Sequence, residues 1–257
     1  MVHYIQETIK QIAKKVINNM RELIAQYIED EEDRISFLNG EIGPYIITGL
    51  DLSLIKNYNF DDGNDYKFEN CTICDVNIKF CNEDLLFQNC VFSGDVVISN
   101  NYVLNEEDEQ IFGNIDLDGC KDGMNLKSLS ITSPILGLIG CKINAKEKAE
   151  FIGDKLVLEP FFDEDTHEVD RTYISSDEEI IIDSIHPTID AVFMSSKSIN
   201  IKGYNLFRMR NCILDGTTNF PVKDGMFRYE RIIKESIING ELVNISDIEE
   251  SISPKEI

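Results

Sequence analysis

Phe68-Glu69-Asn70-Cys71-Thr72-Ile73 is answered nineteen residues later by Phe87-Gln88-Asn89-Cys90-Val91-Phe92. Leu138-Ile139-Gly140-Cys141-Lys142-Ile143 and Met209-Arg210-Asn211-Cys212-Ile213-Leu214 repeat the phrase, and Leu117-Asp118-Gly119-Cys120 keeps its first half. The shared pattern is apolar, any, Asn or Gly, Cys, any, apolar. Successive cysteines of the pattern lie 19, 30, 21 and 71 residues apart, and 71 is about three further periods. A longer match supports the period: Lys127-Ser128-Leu129-Ser130-Ile131 precedes Cys141 much as Lys197-Ser198-Ile199-Asn200-Ile201 precedes Cys212.

Working outward, the chain from residue 35 is a series of short alternating runs broken by Asn, Asp and Gly. Val76-Asn77-Ile78-Lys79-Phe80, Val96-Val97-Ile98, Leu156-Val157-Leu158 and Ile180-Ile181-Ile182 are strand signals. Short strands repeating every 19–24 residues are the signature of a stacked coil. Each coil lays down two or three strands, and the next coil pairs with it in parallel. Equivalent inward positions then form ladders of Cys, Ile and Phe. The Asn or Gly before each Cys suits a tight corner, because both tolerate positive φ. An irregular antiparallel sandwich uses similar strands and is the alternative architecture.

On these residues the chain resembles the right-handed parallel β-helix family over about residues 45–215, and pentapeptide-repeat proteins more faintly. The second likeness rests on Phe68, Ile73 and Ile78, and on Phe87, Phe92 and Val97, each spaced by five. The expected fold is therefore an all-β solenoid, a right-handed parallel β-helix with an N-terminal amphipathic capping helix. Its expected divisions are a cap over residues 1–34, the β-helix over 35–240 and an acidic tail over 241–257.

The cap is read from residues 4–28, where Ile5, Ile9, Ile12, Val16, Met20, Leu23 and Tyr27 recur by threes and fours on one face. The run Glu29-Asp30-Glu31-Glu32-Asp33 that follows is unfavourable at a helix C-terminus, which predicts that the helix stops by about Ile28. The stripe covers a core or, alternatively, pairs two copies, so a monomer or a homodimer through this helix is expected.

Charge decides the functional classes. Lys and Arg number 24 against 47 Asp and Glu, a net charge of −23, with +2 on the helix and −25 on the rest. Direct binding to nucleic acid or to an anionic membrane needs clustered Lys and Arg and is excluded as an expectation. No run approaches a membrane span, no export signal opens the chain, and free thiols suit a reducing compartment, so the expected location is cytoplasmic. Seven cysteines (71, 74, 81, 90, 120, 141, 212) lie apart from the three histidines, His3, His167 and His186. Cys71–Cys74 is a lone C-x-x-C, so no zinc site and no cofactor are expected.

The β-helix resemblance brings polysaccharide lyases and hydrolases into view, which implies paired aspartates on one coil face beside a basic residue. The chain has Asp61-Asp62 as an adjacent pair and lacks the Asn-Thr-Asp, Gly-His-Gly and Arg-Ile-Lys elements of polygalacturonases. It also has no Trp for sugar stacking. The acidic stretch 163–170 lacks the Gly and the final Glu of an EF-hand loop. No catalytic set emerges, and the chain is expected not to be an enzyme.

What remains is acidity on a repeat scaffold. A compact protein of this mass exposes about 11,500 Å², so evenly spread charge gives about one per 500 Å². Duplex DNA carries about one per 100 Å² of its cylinder. Mimicry therefore requires concentration on one flank. The leading expectation is a non-catalytic acidic binding protein that blocks a basic, nucleic-acid-binding surface of a protein partner; phage-encoded anti-defence proteins of the anti-CRISPR type are its sharper form. The alternative is a carbohydrate-active or receptor-binding β-helix of the phage-tail type. Binding is expected where insertions depart from the repeat: at Glu106, Glu107, Asp108 and Glu109, and at Phe161, Phe162, Asp163, Glu164 and Asp165.

Overall fold

Alternating apolar residues bury one side of each strand, and a computed structural model shows what they are buried against. It describes residues 19–55, 60, 64–80, 84–100, 103–104, 110–111, 114–162, 169–203, 206–220 and 228–250. Seventeen strands join in one sheet, and every pairing in it is parallel except the last. The chain is all-β and solenoid-like. Rungs stack at in-register steps of 21 (Pro44↔Asp65), 19 (Tyr66↔Leu85), 30 (Leu85↔Ile115), 21 (Leu136↔Ile115), 20 (Leu136↔Leu156) and 31 (Leu156↔Pro187). Steps of 20 (Thr188↔Arg208) and 24 (Arg208↔Ile232) complete the series.

Each full coil contributes three strips. The first holds Pro44–Thr48, Asp65–Glu69, Asp84–Gln88, Asn114–Asp118 and Ile135–Ile139, continued by residues 155–159, 186–190, 206–210 and 230–234. The second begins at Thr72, Val91, Lys121, Lys142, Tyr173, Phe193, Ile213 and Ile237, all in register. The third aligns Val76, Val96, Leu129, Ala149, Ile180 and Ile199. Inward ladders such as Ile47, Phe68, Phe87, Leu117, Leu138 and Leu158 are fully buried. Phe68 and Phe87 stack at 5.0 Å with their planes 11° apart.

The repeated phrase is the corner between the first two strips. Asn70, Asn89, Gly119, Gly140 and Asn211 all take φ between 53° and 60°, the left-handed region. Gly49, Ala191 and Glu235 hold the same corner in three of the four coils that lack the phrase, at φ 73°, 52° and 50°. Each following Cys turns inward, and its thiol donates to a carbonyl of the previous coil: Cys71 to Ile47, Cys90 to Phe68, Cys120 to Phe87, Cys141 to Leu117 and Cys212 to Ile189, at 3.1–3.6 Å. Thr172 and Val192 fill the same place in the two coils between Cys141 and Cys212. The gap of 71 is therefore three coils. Burial pushes the Cys212 thiol up to about 11 and that of Cys120 well above its ordinary value, so these thiols are neutral structural groups. Cys71 points inward while Cys74 is half-exposed, so the C-x-x-C pair is not brought together.

Four expectations are modified. Spacing by five holds inward for Phe68, Ile73 and Ile78 and from Phe87 to Phe92, and lapses at Val97. The register shifts at Gly94, Val96 turns inward, and Val97 is 38% exposed. Of the helix expected over 4–28, residues 19–25 are helical, and residues 1–18 lie outside the described residues. Ile24, Ala25 and Ile28 are buried in the common core, and the Thr48 N–H donates to the Tyr27 carbonyl at 2.9 Å. The acidic run does not trail this helix but starts another, Glu31–Asn39. Asp30 accepts hydrogen bonds from the Glu32 and Asp33 N–H groups, and the carboxylates of the first turn face the positive end of the dipole. The charge that forbids a C-terminus favours an N-terminus. The β-helix division expected from residue 35 accordingly gives way to this helix until Asn39, with the first strand at Pro44.

The fourth correction concerns 241–257. Glu241–Glu250 is a strand, paired antiparallel with Arg228–Ile238 through a turn at Asn239-Gly240, and residues 251–257 lie outside the described residues. Both turn residues have positive φ, 52° and 81°. Asn-Gly between apolar residues is a strong hairpin signal that the acidic composition concealed.

Candidate functional site

The two long coils, of 30 and 31 residues, each eject a hairpin. Val103–Leu104 pairs antiparallel with Gln110–Ile111, and Phe161–Phe162 with Val169–Asp170. The insertions named from the sequence are therefore real departures from the stack. Glu106, Glu107, Asp108, Glu109, Asp163, Glu164 and Asp165 fall between these paired strands in sequence and lie outside the described residues. Phe161 and Phe162 are described, and both are surface-facing at 40% and 54% exposure. Phe161 stands over the corner at Gly140, where an added Cβ would come within 2.7 Å of the Phe161 Cβ. Lys142 holds the far strand of the hairpin through Asp170 at 2.9 Å. Those contacts fasten the hairpin base to the preceding coil.

Their placement is informative. The first hairpin enters the first strip just before Asn114–Asp118, and the second leaves it just after residue 159. Both therefore border one strip, on opposite edges, two rungs apart. The outward positions of its five rungs from Asp65 to Glu159 hold six carboxylates (Asp65, Glu69, Asp84, Asp116, Asp118, Glu159) and two lysines (Lys67, Lys155). Lys67 is paired with Glu69 at 2.5 Å. The middle of the strip has no described lysine beside its acids. Instead, the Asn114 amide donates to Asp116 at 2.9 Å and to Asp84 at 3.4 Å, and Gln88 donates to Asp118 at 3.1 Å. Asp116 leans over Gly137, where a Cβ would lie 2.2 Å from its Oδ1. Burial pushes the Asp116 carboxyl up; the Asn114 hydrogen bond opposes this, and the charges of Asp84 and Asp118 add to it.

The other strips differ. On the second, the outward columns carry Lys121, Lys142 and Asp215 as their charged members among the described residues. On the third, Glu150, Asp183 and Asp95 each sit by a lysine, Lys148 at 2.7 Å, Lys202 at 3.1 Å and Lys127 at 3.2 Å. Beyond residue 159 the first strip turns basic, with Arg208, Arg210 and Lys234 around a shallow groove of about 360 Å³. Both carboxylate oxygens of Asp190 accept there from one edge of Arg210, its Nε and Nη2. Among the described residues no group of three or more His, Cys, Asp or Glu is disposed to hold a metal ion. No described helix is long and apolar enough to cross a membrane.

Sequence reasoning missed Asp84, Asp116 and Asp118. Their signal was positional: Asp65 and Asp84 are one 19-residue coil apart, and Asn114 follows Asp84 by the 30-residue coil. No family model matches the chain, and no curated protein or solved structure matches it either.

Proposed function

We propose that the chain is a right-handed parallel β-helix, covered at its first coil by the N-terminal helical segment, that acts without catalysis by occupying a basic, nucleic-acid-binding surface of a partner protein. Handedness follows from parallel crossovers, which are right-handed in about 98% of cases. Burial of Ile24, Ala25 and Ile28 beside the first rung supports the cover.

The observation that carries the function is charge density. Five rungs about 4.8 Å apart, each five residues of about 3.3 Å, make a face of roughly 24 by 16 Å. Its net charge of −4 amounts to about one per 100 Å², the density of duplex DNA and about five times that of an even spread. In the sequence, Glu106 to Glu109 and Asp163 to Asp165 belong to the two insertions whose described strands border this face. Phe161 and Phe162 supply an apolar anchor within a charged rim, the composition of an interface centre. An anti-defence inhibitor of the anti-CRISPR type is the sharper form of this reading.

The test is capture. Immobilised protein should retain a nucleic-acid-binding protein from lysate at low salt and release it to heparin or to high salt. Charge reversal of Glu106 to Glu109, and separately of Asp163 to Asp165, should each weaken capture while the melting temperature stays nearly unchanged. Retention indifferent to heparin, to salt and to both reversals would refute the reading.

A further inference from the structure

The first strip reverses its charge along its length, and the register fixes where. One outward column runs from Leu86 and Asp116 through Gly137, Val157 and Thr188 to Arg208 and Ile232. Beside it, a second runs from Gln88 and Asp118 through Ile139, Glu159 and Asp190 to Arg210 and Lys234. The rung of residues 155–159 is the centre of both. Asp116 and Asp118 stand two rungs before it, and Arg208 and Arg210 two rungs after it. Leu86 and Gln88 stand three rungs before it, and Ile232 and Lys234 three rungs after it. A face so ordered is its own complement when turned end over end.

We propose that the first strip is where the chain associates face to face with a second copy of itself, about a two-fold axis parallel to the strands along residues 155–159. The order of charge selects that occupant. A uniformly basic surface that matched Asp116 and Asp118 would meet Arg208, Arg210 and Lys234 further along the same face, and a uniformly acidic one would meet the reverse conflict. The two-fold instead sets Asp116 over Arg208, Asp118 over Arg210, Gln88 over Lys234 and Leu86 over Ile232, each contact occurring twice. Arg208, Arg210 and Lys234 are exposed, and Asp190 takes only the Nε and Nη2 edge of Arg210, which leaves Nη1 for a carboxylate of the second copy. Against these matches stand Asp84 over Glu230 and, on the axis, Lys155 and Glu159 over their own counterparts. The last two are exposed at the edges of the strip, with room to swing clear. The second hairpin departs from the axis rung, so the exposed Phe161 and Phe162 of both copies border the axis from the same edge. Seven rungs of about 4.8 Å by about 16 Å give roughly 540 Å² per copy, or about 1,100 Å² in total, the lower end of a specific interface.

Sedimentation equilibrium of the full chain over about 1–100 μM, at low and at high salt, tests this. The expected result is a dimer whose dissociation constant rises about tenfold or more in Arg208→Glu and at high salt, with an unchanged far-UV spectrum. Arg208 is exposed, so misfolding does not explain a loss there. Gln88→Lys and Lys234→Glu should each weaken the dimer, and the double variant should recover it, which a merely structural role would not produce. A wild-type chain that stays monomeric throughout overturns the proposal. A dimer untouched by Arg208→Glu, or one that the double variant fails to recover, overturns it by placing the interface elsewhere. Self-association rests on the charge order of the strip and is measured without a partner, so it succeeds or fails separately from capture. Where both hold, a basic partner displaces the second copy from the acidic face.

Discussion

Replacing Phe87 with Ala tests the inward ladder where three aromatic rings meet. Phe87 is fully buried, stacks on Phe68 at 5.0 Å and meets Phe80 edge-on at 6.1 Å. A buried aromatic removes 150–250 Å² from water, which at about 25 cal/mol per Å² is about 4–6 kcal/mol. A compact unfolded chain already hides part of that area, which lowers the expectation to about 3–5 kcal/mol. Large-to-small aromatic substitutions in cores fall in the same range, since the cavity relaxes only in part. The rungs above and below are tied by parallel hydrogen bonds on three sides, so the walls have little freedom to collapse. Urea unfolding followed by far-UV circular dichroism measures the loss. Phe162→Ala, at a side chain 54% exposed on the hairpin, is the control and should cost less than about 1 kcal/mol. If Phe87→Ala costs under 1 kcal/mol, or no more than Phe162→Ala, the ladder is not what holds the coils together.

Two further outcomes follow from single residues. Ala191 occupies at φ 52° a corner that six other coils give to Asn or Gly. Left-handed backbone costs an L-residue about 1–2 kcal/mol, and Gly sacrifices about 0.5–1 kcal/mol of unfolded-state freedom, so Ala191→Gly should gain about 0.5–1 kcal/mol in urea; a loss would mean that the corner is unstrained. Asp116 has its carboxyl pushed up by burial, so it binds its proton more tightly folded than unfolded. Its contribution to stability is greatest below the unfolded value, near 3.9, and falls as pH rises through the folded one. Asp116→Asn should therefore be more stable than the parent at pH 7, with the advantage shrinking on acidification; an advantage that is flat or grows toward acid pH would contradict the burial argument.

The corner was legible because its chemistry is local. A left-handed residue followed by a small inward side chain needs Asn or Gly and then Cys, so Asn70-Cys71, Asn89-Cys90, Gly140-Cys141 and Asn211-Cys212 declare themselves without any knowledge of the fold. The period then counts the coils, even across the 71-residue gap where Thr172 and Val192 replace the thiol. The insertions followed as departures from that period. Pairing and packing decided the rest. Val96 and Val97 are indistinguishable in sequence, and the register shift at Gly94 determines which one is buried. Glu31, Glu32 and Asp33 could end one helix or begin another until Asp30 caps their N–H groups. Asp84, Asp116 and Asp118 become one acidic face through the stacking of rungs whose separations, 19, 30 and 21 residues, are set by the turns of each coil and, in the 30-residue coil, by its hairpin. Side-chain preference acts over a few residues and is written in them, whereas neighbourhood across a parallel sheet depends on the length of every turn between.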